Sequence, residues 1–234
     1  MDLIEFEWLR CQDGAGYRVA PSRSPKPVVR LEGKKAISLP QWTGKDASGD
    51  SIETIGKKQF GLYPPAQHYS ALFQIFADKP ATAEGICEFF NAFGPLELPG
   101  GARPRAGPAY HSVSLRCMLV HQAALRHAID LFNAGNLVDF TAGFNVGCNL
   151  SRGQLRPELR PLSDGKLGLA FVPSSLIQFL WLQLALHAAS DAELLRCAQC
   201  GMPFCVGTGT ARRNTARYCS NRCKVAAYKA RKGI

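Results

Sequence analysis

Between Arg196 and Ile234 the sequence has no aspartate and no glutamate, so nothing along these 39 residues offsets their nine lysines and arginines. That absence excludes an evenly charged surface. The chain has 28 basic and 18 acidic residues and a net charge of +10, and removing the nine leaves 19 against 18 in Met1 to Leu195. No basic stretch followed by an apolar run opens the chain: MDLIEFEWLR carries acidic residues, does not read as a secretory signal, and leaves the cytoplasm as the expected compartment. No phosphate-binding glycine loop, GxSxG elbow or HExxH motif is present, which removes the commonest nucleotide-binding, hydrolase and metalloprotease readings. No internal repeat is found either.

One further absence points the wrong way. From Leu167 to Ser190 there is no Asp, Glu, Lys or Arg, a charge-free length that resembles a membrane span. Pro173, Ser174, Ser175, Gln178 and Gln183 interrupt it, and a strand (LGLAFV) followed by a buried helix (LIQFLWLQLALHAA) accounts for the run. The apolar helical part is shorter than the roughly 20 residues a bilayer needs. With 234 residues and 46% hydrophobic composition, the chain can bury one substantial core and a small satellite.

The expected class is α+β: a mixed N-terminal domain over 1–190 with an antiparallel hairpin and two long buried helices, then a small basic finger over 191–234. The first sixty residues hold β-like runs, DLIEFEWL and PVVRLEG, between loops such as SRSPKP and GKDASGDS. Thr82 to Phe93 reads as a helix with Thr82 as N-cap and Gly94-Pro95 as the stop. The connector PLELPGGARPRAGP leads to the longest helix, about Tyr110 to Asn133, where Leu115, Met118, Gln122, Leu125, Ile129 and Phe132 fall in one stripe. Leu155 to Leu162 and Leu167 to Val172, joined through Asp164-Gly165, read as a hairpin, and a helix from about Ser175 to Ala189 follows. Beyond it, Ser190 and Glu193 suit a capping box, while LLR before Cys197 equally suits a strand.

What is present in the tail is a metal-ligand spacing. Cys197 and Cys200 are separated by two residues, and Cys219 and Cys223 by three, with eighteen between the pairs. In CAQCG the two thiolates can turn toward one ion, with Gly201 freeing the backbone for the tight turn. Ser220 can cap a helix of about Asn221 to Lys232 ended by Gly233, which puts Cys219 before the helix and Cys223 one turn inside it. Cys223, Ala226, Ala227 and Ala230 then share the side facing the knuckle. Arg222 with Lys229 and Lys224 with Arg231 line the flanks; Val225, Tyr228 and Lys232 fall outward. Four thiolates leave no open coordination position, so the expected cofactor is one structural zinc ion, with an iron–sulfur cluster as the alternative. Cys205 reads as a packed or free thiol. Cys11, Cys87, Cys117 and Cys148 are scattered without pairing logic, as in a chain of reduced thiols.

This tail resembles the C-terminal finger of the CGNR zinc-finger proteins, bacterial proteins regarded as transcription regulators, in which a variable domain precedes a C-x-x-C, a basic spacer, an aromatic-Cys-Ser and a basic helix. The matching residues are Cys197, Cys200, Phe204, Arg213, Arg217, Tyr218, Cys219, Ser220, Cys223 and Lys224 to Arg231, within a stretch of about 40 residues. Asn221-Arg222 stands before Cys223, where the family has Gly-Asn-Arg after its last ligand. The resemblance implies a treble-clef finger and a regulatory, DNA-binding role.

Independently of it, a basic module without acidic residues suits phosphate backbones, and a helix of this size fits a major groove. Arg212, Arg213, Arg217, Arg222, Lys224, Lys229, Arg231 and Lys232 are the candidate nucleic-acid contacts, with DNA expected over RNA. The alternatives are a zinc-stapled cap or protein-interaction module, and an enzyme with a structural zinc. Cys117 and His121 could form a thiolate–imidazole pair or half a metal site, but a core cysteine beside a half-buried histidine is the preferred reading. His111, His127 and His187 have no partner spacing, and His68 sits in a loop. The N-terminal domain could bind a small effector or a partner.

Overall fold

The computed structural model describes residues 8–11, 17–20, 51–54, 58–63, 65, 69–97, 107–109, 112–150, 156–161, 167–207, 210 and 212–232. Strands β1 (Trp8–Cys11), β4 (Lys58–Tyr63) and β5 (Gly107–Ala109) form one antiparallel sheet in the order β1-β4-β5. A second, in the order β2-β3-β6, joins β2 (Tyr17–Ala20), β3 (Ser51–Thr54) and β6 (Ser112–Ser114). The mixed α+β class is therefore observed. β5 begins in the last two residues of the segment read as a connector. PVVRLEG, SRSPKP, residues 2–7 of the first β-like run and the Asp164-Gly165 turn lie outside the described residues, as do His68, His111 and Gly233.

Helix α1 (Leu72–Asp78) was not legible in the sequence, and its capping explains why. No local side chain caps its start; instead the Leu72 amide donates to the buried Gln183 Oε1 at 3.0 Å, and Gln183 Nε2 donates to the Tyr69 carbonyl at 2.6 Å. At its far end Gln122 Nε2 donates to the carbonyls of Phe76 (2.9 Å) and Lys79 (2.8 Å), and Arg126 Nη2 donates to that of Ala77 at 2.6 Å. Side chains distant in sequence thus satisfy the groups a helix end leaves unpaired.

Helix α2 (Ala83–Phe93) follows the sequence signals: Thr82 Oγ1 accepts from the Gly85 amide at 3.2 Å, and Gly94 takes φ 89° after the last turn. The long helix α3 (Leu115–Asn133) starts later than the expected Tyr110. Residues Ser112 to Ser114 are drawn into β6, with Val113 opposite Ile52, and cross-strand pairing there replaces a helical turn. Its stripe is buried at Leu115, Met118, Gln122, Leu125 and Ile129, with Phe132 half-buried. Helix α4 (Leu137–Leu150) had no reading in the sequence; it buries only Phe140 and Gly147. A Cβ at Gly147 would overlap the Trp181 ring, so this glycine sets how closely α4 approaches its neighbour.

β7 (Arg156–Pro161) and β8 (Leu167–Val172) pair antiparallel in register from Arg156↔Val172 to Pro161↔Leu167, as expected. α5 (Leu176–Ala188) is capped by Ser175, whose Oγ accepts from the Gln178 amide at 3.4 Å. All nine residues from Leu176 to Leu184 are buried, the mark of a helix surrounded by core rather than lying on it. No helix among the described residues is long and apolar enough to cross a membrane.

His121 sits in this core, 5% exposed, with Glu97 Oε1 3.9 Å from its Nε2. The carboxylate favours an imidazolium, but it lies beyond hydrogen-bond distance, and burial prevails, lowering the imidazole to about 4. The unfolded chain therefore takes up this proton near 6.5 and the folded chain only near 4. Stability is intact above about 6.5 and is lost as pH falls toward 4, by up to about 3 kcal/mol. Denaturant titrations from pH 7 to 4 should show His121→Gln losing less stability than the unsubstituted chain over that window. Parallel losses would overturn this role for the histidine.

Candidate metal centre

The module is built from a short hairpin, β9 (Glu193–Arg196) with β10 (Pro203–Val206), and helix α6 (Asn221–Lys232). Of the two sequence readings before Cys197, the strand is the one observed. The hairpin closes through a tight turn in which Gly201 adopts φ 71°, its amide donating to the Cys197 carbonyl at 2.9 Å and the Cys197 amide to that of Met202 at 3.0 Å. This turn puts Cys197 and Cys200 on the same side. The Ala198 amide donates to the Arg217 carbonyl at 2.9 Å, which brings the second pair alongside. Ser220 caps α6 as the sequence indicated: its Oγ accepts from the Cys223 amide at 3.2 Å.

The Sγ atoms of Cys197, Cys200, Cys219 and Cys223 all lie within 4.8 Å of one another. Cys200 and Cys219 are 3.5 Å apart, as are Cys219 and Cys223. Four sulfurs at about 2.3 Å from one ion in a tetrahedron stand about 3.8 Å apart, so the group fits a metal ion. Cys197, Cys200, Cys219 and Cys223 are free thiols, not tied up in disulfides. Burial raises Cys197, but the backbone amides of Cys219, Cys200 and Gln199 outweigh it and hold the thiol down at about 6. Burial pushes the Cys200 thiol up. Cys219 is pushed up further, by burial and by the three neighbouring sulfurs. Four thiolates this close need a cation among them.

The apolar support of the site is slight: Cys197, Phe204 and Val206 are buried, with Leu195, Ala216, Tyr218, Cys219 and Cys223 packed around them. The opposite face of the hairpin belongs to the main core, where Cys205 is buried and Leu194 and Met202 pack against it. Strand alternation produces this division, since Phe204 pairs with Leu195 and Cys205 with Leu194. Cys205 is thus a packed thiol, as expected. Its amide donates to Ser70 Oγ at 3.1 Å and its Sγ to the Ser70 carbonyl at 3.3 Å, and burial pushes it up to about 11. Arg196 makes a 2.8 Å ion pair with Asp78 of α1, a second tie between module and body.

Arg213, Arg217, Arg222, Lys224, Lys229, Arg231 and Lys232 are exposed. Arg212 is not grouped with them. It is half-buried, donates from Nη1 to the Tyr218 carbonyl at 3.2 Å, and stacks its guanidinium 5.6 Å from the centre of the Phe204 ring. Of the small residues expected to face the knuckle, Ala227 is buried beside half-buried Cys223, but Ala226 and Ala230 are exposed, so the contact is narrower than a four-residue face. Val225 and Tyr228 point outward as expected, at 52% and 53% exposure.

Elsewhere, Cys117 is exposed while His121 is buried, so α3 carries neither a thiolate–imidazole pair nor the expected core cysteine beside a half-buried histidine at these positions. His187 lies between Phe73 and Phe132 with Nδ1 3.9 Å from the Cys205 sulfur, a proximity the sequence gave no sign of. Burial lowers its imidazole and raises the facing thiol, so both are held neutral. No protein-family model matches the chain, nor does any curated protein or any solved structure.

Proposed function

We propose that the chain is a zinc-finger protein that docks on nucleic acid, DNA, and acts in transcription regulation, in the cytoplasm where its thiols stay reduced. The observation that carries the reading is the row of exposed cations on and before α6, held beside a four-sulfur site in a segment with no acidic residue. Zinc is the ion the site suits best, because a knuckle followed by a ligand-bearing helix gives four thiolates in a closed tetrahedron. The order hairpin, loop, helix is that of a treble-clef finger. Thiolates and ion together add about two negative charges, leaving the tail near +7. Neutralising phosphates with this charge releases counterions, and the α+β body then serves to bind an effector or a partner.

A second reading, a zinc-stapled cap or protein-interaction module, draws on the hairpin face that belongs to the main core. Salt separates the two. If four to six phosphates of duplex DNA are neutralised, log affinity falls against log salt with a slope of roughly −4 to −5. Binding without salt dependence, or none, would favour the cap.

A further inference from the structure

Helix α6 presents more than charge. Its buried side is defined by Cys223 and Ala227, and at about 100° per residue the opposite side is the line Asn221, Val225, Tyr228, spaced four and three residues apart. Val225 and Tyr228 are the large apolar side chains exposed in the module among the described residues, and Asn221 is exposed beside them. From Asn221 to Tyr228 the stripe is uncharged, with the exposed Lys232 continuing it at the end of the helix, and it is flanked by Arg222 and Lys229 on one edge and by Lys224 and Arg231 on the other, all exposed. A neutral centre between two cationic edges complements a DNA major groove, whose uncharged floor of base edges runs between two rims of phosphate. The twelve residues of α6 span about 18 Å, and the groove is about 12 Å wide and admits a helix. A-form RNA offers no equivalent, its major groove being too deep and narrow for side chains to read.

We propose that α6 reads A·T base pairs in the major groove of duplex DNA, Asn221 bonding the adenine edge and Val225 packing on the thymine methyl, with Tyr228 beside them. The chemistry is specific: a carboxamide offers one donor and one acceptor, matching adenine N7 and N6, and thymine alone of the four bases carries a methyl group in this groove. The flanking cations supply affinity and orientation without sequence information. This inference rests on the nucleic-acid reading above and adds the groove, the base pair and the reading residues.

The test uses the full zinc-loaded chain. Duplexes are selected from a randomised pool, and binding to the selected site is measured at fixed salt with thymine replaced by uracil, which removes only the methyl group, or adenine by 7-deazaadenine, which removes N7. The site should contain A·T pairs, and uracil should weaken binding about fivefold, 7-deazaadenine about tenfold. Val225→Ala should be indifferent to uracil and Asn221→Ala to 7-deazaadenine, both with an unchanged salt slope; the exposed positions leave folding intact. Salt-sensitive binding with no A·T preference, or a uracil penalty that survives in Val225→Ala, overturns this inference and leaves the nucleic-acid function standing. Equal or tighter binding to duplex RNA or single strands overturns the groove assignment. No salt-sensitive binding at all overturns both.

Discussion

Replacing Cys223 by serine in the full chain should abolish zinc retention against a competing chelator, whereas the unsubstituted chain should hold about one equivalent. The expected effect is large because the module has little else to fold on. Three buried residues, Cys197, Phe204 and Val206, form its private core, and an ion joining the four sulfurs would supply on the order of 10 kcal/mol of folding free energy. Loss of the ion should therefore release α6 and the loop before it, freeing the backbone at the already exposed Arg213, Arg217 and Arg222 for cleavage by trypsin, while the helices of the body remain resistant. Cys205→Ser provides the contrast: that thiol faces Ser70 on the other side of the hairpin and should keep full zinc content. Metal retained by Cys223→Ser, or lost from Cys205→Ser, would overturn the ligand assignment. Tryptic sites that open no faster without the metal would overturn its structural role.

A fall of about a thousandfold in affinity for duplex DNA at 0.1 M salt is expected when Arg213, Arg217, Arg222 and Lys224 are all changed to alanine. Each neutralised phosphate contributes close to 0.9 to the slope of log affinity on log salt, so losing four contacts flattens a slope of roughly −4 to −5 to about −0.4 to −1.4. All four side chains are exposed, so the folded structure should survive, and retained zinc would confirm that it has. Arg212 is left out deliberately: bonded to the Tyr218 carbonyl and stacked on Phe204, it supports the loop, and changing it would confuse stability with binding. Affinity that survives the four substitutions would favour the capping role.

These expectations rest on features that were unequally visible in the sequence. Helix α2 was legible because its signals are local: a threonine three residues before the amide it accepts from, and a glycine with positive φ after the last turn. The stripe on α3 and the pairing of β7 with β8 were legible for the same reason, since periodicity and a short connection need only neighbouring residues. The start of α3 was misplaced because Val113 is claimed by Ile52, sixty-one positions earlier. Helix α1 was missed because Gln183 of α5 and Gln122 and Arg126 of α3 supply its caps. Helix α4 was missed because Gly143, Asn145, Gly147 and Asn149 are poor helix formers, and the approach to Trp181 that makes Gly147 useful is tertiary.

In the metal site the same division holds. The sequence by itself determined the four candidate ligands, the cap at Ser220 and the concentration of positive charge, because spacing, a side-chain oxygen and a count of charges do not depend on what lies elsewhere in the chain. Only the tertiary structure decided that the β9–β10 hairpin has two cores, Cys205 and Leu194 turned to the body and Phe204 and Leu195 to the sulfurs, and that Arg212 serves the loop rather than the surface. Alternation along a strand guarantees two faces, but which face meets which core depends on Ser70, Asp78 and the helices behind them, more than a hundred residues away.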